Sequence, residues 1–382
     1  MDAKKNKTLN IDKINTRLEV LGMSQTDLAD VLDVSRQSVT NWLQGKKFPR
    51  PAALLKMGKT LGLAFNEIVI KKDTSLDPVV AFRKKGSHKI SAEYVEDAKD
   101  KGYLLEHLTP YLPYDNLSAP PALISPGLDY EYIQAAAAET RKHLVAQKGQ
   151  KIEFQDLINF FNTHHAVLIP VFWGNKSNHE NALHIYLPRS RTTWIYLNLD
   201  SKVHDFKFWM AHELGHVKAP ELQSEEAEDF ADQFAGALLF SKAMAEKEYK
   251  FINTLSTKKE KLARIREKAE ALTISPLTVY YEINRYAAHS RQPELDFEKK
   301  ADIFKVNTAF CNQYKNVADH LFDTLPPTAE EYIRVSQDYF NSPFFRALKK
   351  LIIEKERSVG FLQNILNIPV LDARVLYQSL IS

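Results

Sequence analysis

His212-Glu213-Leu214-Gly215-His216 decides how the larger part of this chain is read. Residues four apart on a helix share a face, so the two imidazoles project together and can grip one zinc ion. Glu213 stands about one hundred degrees round the helix from His212. It can face a water at the metal without joining the ligands, which makes it the candidate general base. Five residues can match such a pattern by chance in a chain with 12 histidines, and the flanking sequence weighs against chance. Upstream, Trp194-Ile195-Tyr196-Leu197 reads as a short apolar strand and His204 to Met210 as the first turns of a helix, so the motif lies inside a helix. Downstream, Glu221 to Leu239 carries Ala227, Phe230, Ala231, Phe234, Ala235, Leu238 and Leu239 at spacings of three and four, a second amphipathic helix. A zinc site with a position open to water needs one more protein ligand, and Glu228 is the candidate. With Asp232 one turn on it forms E-x-x-x-D, in which the first carboxylate binds metal and the second accepts the outer N–H of a ligating histidine. Glu225 and Glu226 are rivals for that place.

Ala211 to His216, followed by Glu228-Asp229-Phe230-Ala231-Asp232-Gln233-Phe234-Ala235 and Leu238-Leu239, resembles the ImmA/IrrE family of metallopeptidases, whose E-x-x-A-[ND]-x-F-A pattern is present. The resemblance spans roughly residues 130 to 242. It implies Zn2+ on His212, His216 and Glu228, with Glu213 as acid and base, in a zincin-like domain. It also implies cleavage of a repressor or partner protein in stress or mobile-element circuits. One departure is Phe240-Ser241, where the family usually has Met-Pro.

At the other end, Ser24-Gln25-Thr26-Asp27-Leu28-Ala29-Asp30-Val31-Leu32 leads through Asp33-Val34-Ser35 to Arg36–Leu43. Each half starts with a serine that can accept from first-turn N–H groups, and Leu28, Ala29, Leu32, Val34, Val39 and Trp42 supply an inward face. Leu18 and Leu21 before, and Leu54, Leu55, Met57 and Leu61 after, predict flanking helices, five short helices in all. The segment resembles the Xre-type, Cro/CI-like helix-turn-helix fold, its pattern matched almost throughout residues 24 to 49. The resemblance puts the second motif helix in the major groove of double-stranded DNA. Arg36, Gln37, Thr40 and Asn41 then become candidates for base edges, and Gln25, Lys46, Lys47 and Arg50 for phosphates. One such module reads a half-site, so a homodimer on a pseudo-palindromic operator is expected.

Charge divides the chain in the same way. Residues 1 to 72 hold 13 Lys/Arg against 7 Asp/Glu, a net of +6, and the remainder holds 38 against 41, a net of −3. A basic module on a mildly acidic body suits an electrostatically steered DNA binder. The 382 residues are 44% hydrophobic, enough for more than one core. No apolar run reaches the ~20 residues of a membrane span, and the charged Met1–Lys7 lacks a following apolar stretch, so a cytoplasmic protein without membrane partners is expected. Cys311 is the sole cysteine and is read as half-buried core.

The expected architecture is multidomain and mainly α. An all-α five-helix domain occupies residues 8–72, a linker with one helix 73–128, an α+β domain with a small sheet 129–290, and a helical C-terminal region 291–382. In the linker, Asp73–Pro78 is polar, Arg83-Lys84-Lys85 reads as a solvated charge run, and a helix is expected from Ser91 to Leu108. Pro110, Pro113, Pro120, Pro121 and Pro126 predict an extended connector over 111–127. The α+β domain reads as helices 130–147 and 154–164, strands 167–172, 183–187 and 193–197, then the two metal-bearing helices. Its sheet is expected to offer an edge to an extended peptide. His164, His165, His179 and His184 are isolated and given no role, and no oxyanion stabiliser is identified beyond weak candidates in Tyr280 and Tyr281. Residues 344–355, 358–366 and 371–381 form amphipathic segments, read either as an interaction module or as a plain bundle extension. Two functions follow. One is a DNA-bound regulator with a zinc endopeptidase domain. The other is a HigA-like antitoxin or autorepressor, whose peptidase-like body senses a signal or binds a toxin without turnover.

Overall fold

Leucine, alanine and valine side chains spaced three and four apart gather the first unit, Met1–Leu76, round one small core. The computed structural model describes residues 7–71, 76–81, 92–114, 122–145, 151–173, 182–222, 224–298 and 301–382. Arg83, Lys84, Lys85, Ser91, Pro120, Pro121, His179 and residues 73–75 of the polar linker lie outside them, as does the end of the helix expected over 130–147.

The first unit runs β1 (Lys7–Leu9), α1 (Ile11–Leu21), α2 (Gln25–Leu32), α3 (Arg36–Leu43), α4 (Pro51–Leu61), α5 (Phe65–Ile68) and β2 (Val69–Lys71). Ser24 accepts from the Asp27 N–H, and Asp27 returns the bond to the Ser24 N–H in a capping box. Ser35 accepts from the Ser38 N–H. Between the two helices Asp33 turns left-handed, φ 56°, and the Asp33 and Val34 N–H groups close onto carbonyls of α2. Leu28, Ala29, Leu32, Val39, Trp42, Leu54, Met57 and Leu61 are buried as expected. Leu21 and Leu55 are not: they are 42% and 66% exposed. Ile14 and Leu18 hold the inward face of α1, and Leu54 takes that of α4, so its neighbour Leu55, about one hundred degrees away, faces water. The sequence reading also lacked the antiparallel pair β1–β2, which joins the two ends of this helical unit.

The second unit, Asp77–Ser382, begins with β3 (Val79–Ala81), α6 (Ala92–Glu106), α7 (Tyr130–Leu144), α8 (Phe154–Thr163), β4 (Val167–Val171), β5 (Ala182–Leu187) and β6 (Thr192–Asn198). It continues through α9 (Val203–Lys218), α10 (Ser224–Leu239), α11 (Lys242–Thr254), α12 (Lys258–Leu272), α13 (Pro276–His289) and α14 (Asp302–Cys311). It ends with α15 (Ala318–Leu321), α16 (Ala329–Asp338), α17 (Phe344–Lys355), α18 (Val359–Leu366) and α19 (Val370–Ile381). Its sheet has the order β3-β5-β6-β4, with β4 parallel to β6 and the other pairs antiparallel. The whole is mainly helical with small sheets.

Both faces of this sheet are covered, which is why its strands read as nearly continuous apolar runs. Leu168, Ile195 and Leu197 join a core with Ile133, Phe161, Met210, Leu214, Phe230 and Phe234. Val167, Ile169, Leu183, Ile185, Trp194 and Tyr196 face a second core built with Leu105, Phe344, Phe345, Leu348, Leu362 and Ile365. Two features were not foreseen. The stretch read as linker contributes β3 as an edge strand and α6 as part of the second core. The amphipathic segments near the C-terminus cover the sheet: Tyr196 Oη donates to the Ile365 carbonyl at 2.8 Å, and Trp173 Nε1 to that of Leu366 at 3.0 Å. Among the described residues no helix is long and apolar enough to cross a membrane.

Candidate metal centre

α9 is buried on nearly every side from Phe206 to Val217 except at Phe208, so any polar group it carries must find a partner inside the fold. Its closest neighbour is α10, and the reason is a glycine. A Cβ on Gly215 would lie 2.8 Å from the Ala231 Cα, so the backbones touch where a larger residue would hold them apart. Gly215 stands just before His216, and Ala231 one turn beyond Glu228. The close approach therefore carries the carboxylate to the imidazoles.

There His212, His216 and Glu228 each offer one donor atom, all within 4.8 Å of one another. His212 Nε2 and His216 Nε2 are 3.0 Å apart, and the Glu228 oxygens stand 3.5 and 3.4 Å from them. Donors at the corners of a tetrahedron with bonds of ~2.0–2.1 Å are about 3.3 Å apart, so the donor set fits a zinc-sized cation. Two imidazole Nε2 atoms at this separation also need a cation or a shared proton between them. His212 Nδ1 lies 2.8 Å from Asp232 Oδ1, and a proton held there leaves the Nε2 lone pair facing the other donors. Glu225 and Glu226 are exposed on the first turn of α10 and stay outside the cluster.

Glu213 is 1% exposed, and its Oε2 has no hydrogen-bond partner among the described residues. Burial pushes its carboxyl up to about 8, against the pull of His212 and with a further push from Glu228. Burial works against charge on His212, yet hydrogen bonds to Asp232 and Glu228 and the nearby Glu213 carry its imidazole up to about 9. Burial, with His212 and His184 beside it, holds His216 well below the ordinary histidine range. Two imidazoles and a carboxylate gathered in a buried site make a charge pattern that one divalent cation balances.

His184, given no role from sequence, stands at this centre. It lies on β5 with its ring 6.1 Å from that of His216, is 6% exposed, and its Nε2 has no partner among the described residues. Burial, then His212, lowers it to about 4, so it is neutral. Strand alternation was the available signal, since Leu183, Ile185 and Leu187 share the opposite face. Which face meets α9 was not readable. Of the other histidines singled out, the two among the described residues lie elsewhere: His164 Nδ1 contacts the Phe160 carbonyl at 2.8 Å and His165 packs on Tyr114. Tyr280 donates to the Leu295 carbonyl at 2.7 Å. Cys311 is half-buried with Sγ 3.1 Å from His204 Nε2, and burial raises its thiol to about 11.

On the first unit, α3 presents Arg36 and Gln37 exposed and Thr40 and Asn41 half-buried. Gln37 Nε2 donates to Asn41 Oδ1 at 3.2 Å, and Thr40 Oγ1 donates to Gln25 Oε1 at 3.2 Å, which ties the start of α2 to this row. Lys46 and Lys47 follow the end of α3, and Arg50 precedes α4; all three are exposed, as is Gln25.

Residues 16–68 match the helix-turn-helix family, and residues 169–275 match the IrrE N-terminal-like domain of the M78 peptidases. No curated protein matches the chain. A solved structure, Bacillus thuringiensis PlcR in complex with the peptide PapR7 and DNA, aligns over 97% of this chain and 98% of its own at 7% identity, with a TM-score of 0.14.

Proposed function

We propose that this chain, which joins an Xre-type helix-turn-helix domain to an IrrE N-terminal-like peptidase domain, is a DNA-binding transcriptional regulator whose second unit is a zinc-dependent endopeptidase. The observation that carries the peptidase half is the convergence of His212, His216 and Glu228. These three would hold the ion, and Asp232 fixes the ring of His212 by accepting a hydrogen bond from its Nδ1–H. When bound, the cation supplies Lewis acidity and makes water nucleophilic near neutral pH. Glu213 takes the proton from the attacking water and returns it to the leaving amine, a task suited to a buried carboxyl that does not prefer to stay charged. The burial of α9 strengthens each of these interactions. The substrate is a repressor or partner protein.

Metal analysis tests this reading first. Protein purified without chelator should carry about one zinc per chain. Glu228→Ala, which leaves two ligands, should lose the metal and all peptide hydrolysis while still binding DNA. Wild-type protein without near-stoichiometric zinc would sink the proposal.

For the first unit, Arg36, Gln37, Thr40 and Asn41 read base edges, while Gln25, Lys46, Lys47 and Arg50 hold phosphates, on a pseudo-palindromic operator bound by a homodimer. The two classes separate by salt. Lys46→Ala with Lys47→Ala should weaken binding to every sequence and flatten the slope of log affinity against log salt by about 2. Asn41→Ala should instead relax discrimination at one base pair, by ~1–3 kcal/mol. Fluorescence anisotropy over a salt series checks both, and an unchanged slope in the double lysine variant would remove those residues from the phosphate set.

A further inference from the structure

The sheet edge beside the metal centre is not open. β5 presents His184 to the ligands, and its outer side pairs antiparallel with β3: Val79 opposite Tyr186, Val80 opposite Ile185, Ala81 opposite His184. Alternation puts Val79 on the face of His184, and Val80 on the other, where it packs against the second core. The sheet's other edge, β4, is separated from β5 by β6. A peptide added there would lie two strands from His184. The β5 edge is therefore where an extended chain, held by main-chain hydrogen bonds as strands are when they join a sheet, comes alongside the metal centre. Three residues of this chain already lie there.

β3 is also lightly held. It is three residues long, and Val79 is 48% exposed. Beyond its pairing with β5, Val80 packs against the second core, the buried Pro78 crowds Gly102 of α6, and the strand also lies against α10. So short a strand, with one side chain turned into a core, can open locally without disturbing the rest of the sheet.

We propose that β3 is a stand-in for the substrate strand: the β5 edge is the docking surface for an extended peptide, Val79–Ala81 fills it, and a substrate enters by displacing them. The purpose of the device rests on the peptidase reading, but its test does not. The pairing also states the class of peptide accepted: a small residue opposite His184, an apolar one turned to the second core, and a β-branched one opposite Tyr186.

Binding rather than cleavage decides it, in the full chain carrying Glu213→Gln so that nothing is turned over. The probe is a fluorescein-labelled peptide spelling residues 76–85, read by fluorescence anisotropy. Val80→Asp places a charge where Val80 meets the core and should unseat β3, tightening peptide binding by at least about tenfold. A second form carries Val80→Cys and Ile185→Cys at a directly opposed pair, whose Cα atoms in paired strands stand within disulfide reach. Oxidised, it should not bind the peptide; reduced, it should bind as the parent does. Equal binding by the oxidised and reduced forms overturns the proposal, even if Val80→Asp fails to fold. Failure of the two cysteines to cross-link overturns it as well. If peptide binding follows the expected pattern while the Glu213 protein cleaves nothing, the docking edge stands and the peptidase reading falls.

Discussion

Glu213→Gln is expected to keep about one zinc per chain and to lower peptide hydrolysis by about 10²–10⁴-fold, the usual contribution of a positioned acid and base. The substitution preserves size and hydrogen-bonding reach but cannot accept a proton. Glu213 is not one of the three clustered donors, so metal content should not change. Its Oε2 has no partner among the described residues, so no existing hydrogen bond there is broken. Thermal unfolding and DNA binding should match wild type. The decisive readout is kcat with metal content measured on the same sample. A kcat within threefold or so of wild type at equal zinc would remove Glu213 from the mechanism. If the variant is inert on peptides yet still derepresses its target in cells, proteolysis is not the means of regulation.

The second large effect comes from a residue with no side chain. Gly215→Ala would put a Cβ 2.8 Å from the Ala231 Cα and 3.1 Å from its Cβ. The first of these is backbone and cannot rotate aside. α9 and α10 must separate, and the separation is greatest where the ligands sit, since His212 and His216 flank the contact on one helix and Glu228 lies one turn from it on the other. Overpacking of this kind costs ~1–3 kcal/mol of stability. The loss of ligand alignment should weaken zinc by a further 10–100-fold or so, the scale seen when the support of a ligand is removed. Zinc affinity by chelator competition checks this. Gly360→Ala is the control, because its Cβ would meet nothing closer than the Ser358 Oγ at 3.6 Å. Wild-type zinc affinity in Gly215→Ala would mean that the two helices are not held together by this contact.

The metal residues could be read in advance because their geometry is local. His212 and His216 share a helical face by spacing alone, and so do Glu228 and Asp232. The serine caps of α2 and α3 are equally short-range. The sequence could not say which of Glu225, Glu226 and Glu228 would meet the histidines except through E-x-x-x-D, since that depends on how α10 packs on α9. Nor could it show the glycine contact that sets this packing. Val79-Val80-Ala81 looked like linker because three residues form a strand only when another strand's edge is waiting. Leu21 and Leu55 face water although they fall in the apolar pattern of their helices, because periodicity marks a stripe but not its width.

The two-sided covering of the sheet limits how this protein can be cut down for study. A fragment designed round the metal-binding motif, ending anywhere before Phe344, would strip the cladding from Val167, Ile169, Ile185, Trp194 and Tyr196 and leave a broad greasy wall in contact with solvent. The excised piece would aggregate or drift out of shape even with every ligand intact. The smallest self-sufficient form of the second unit therefore includes the final three helices.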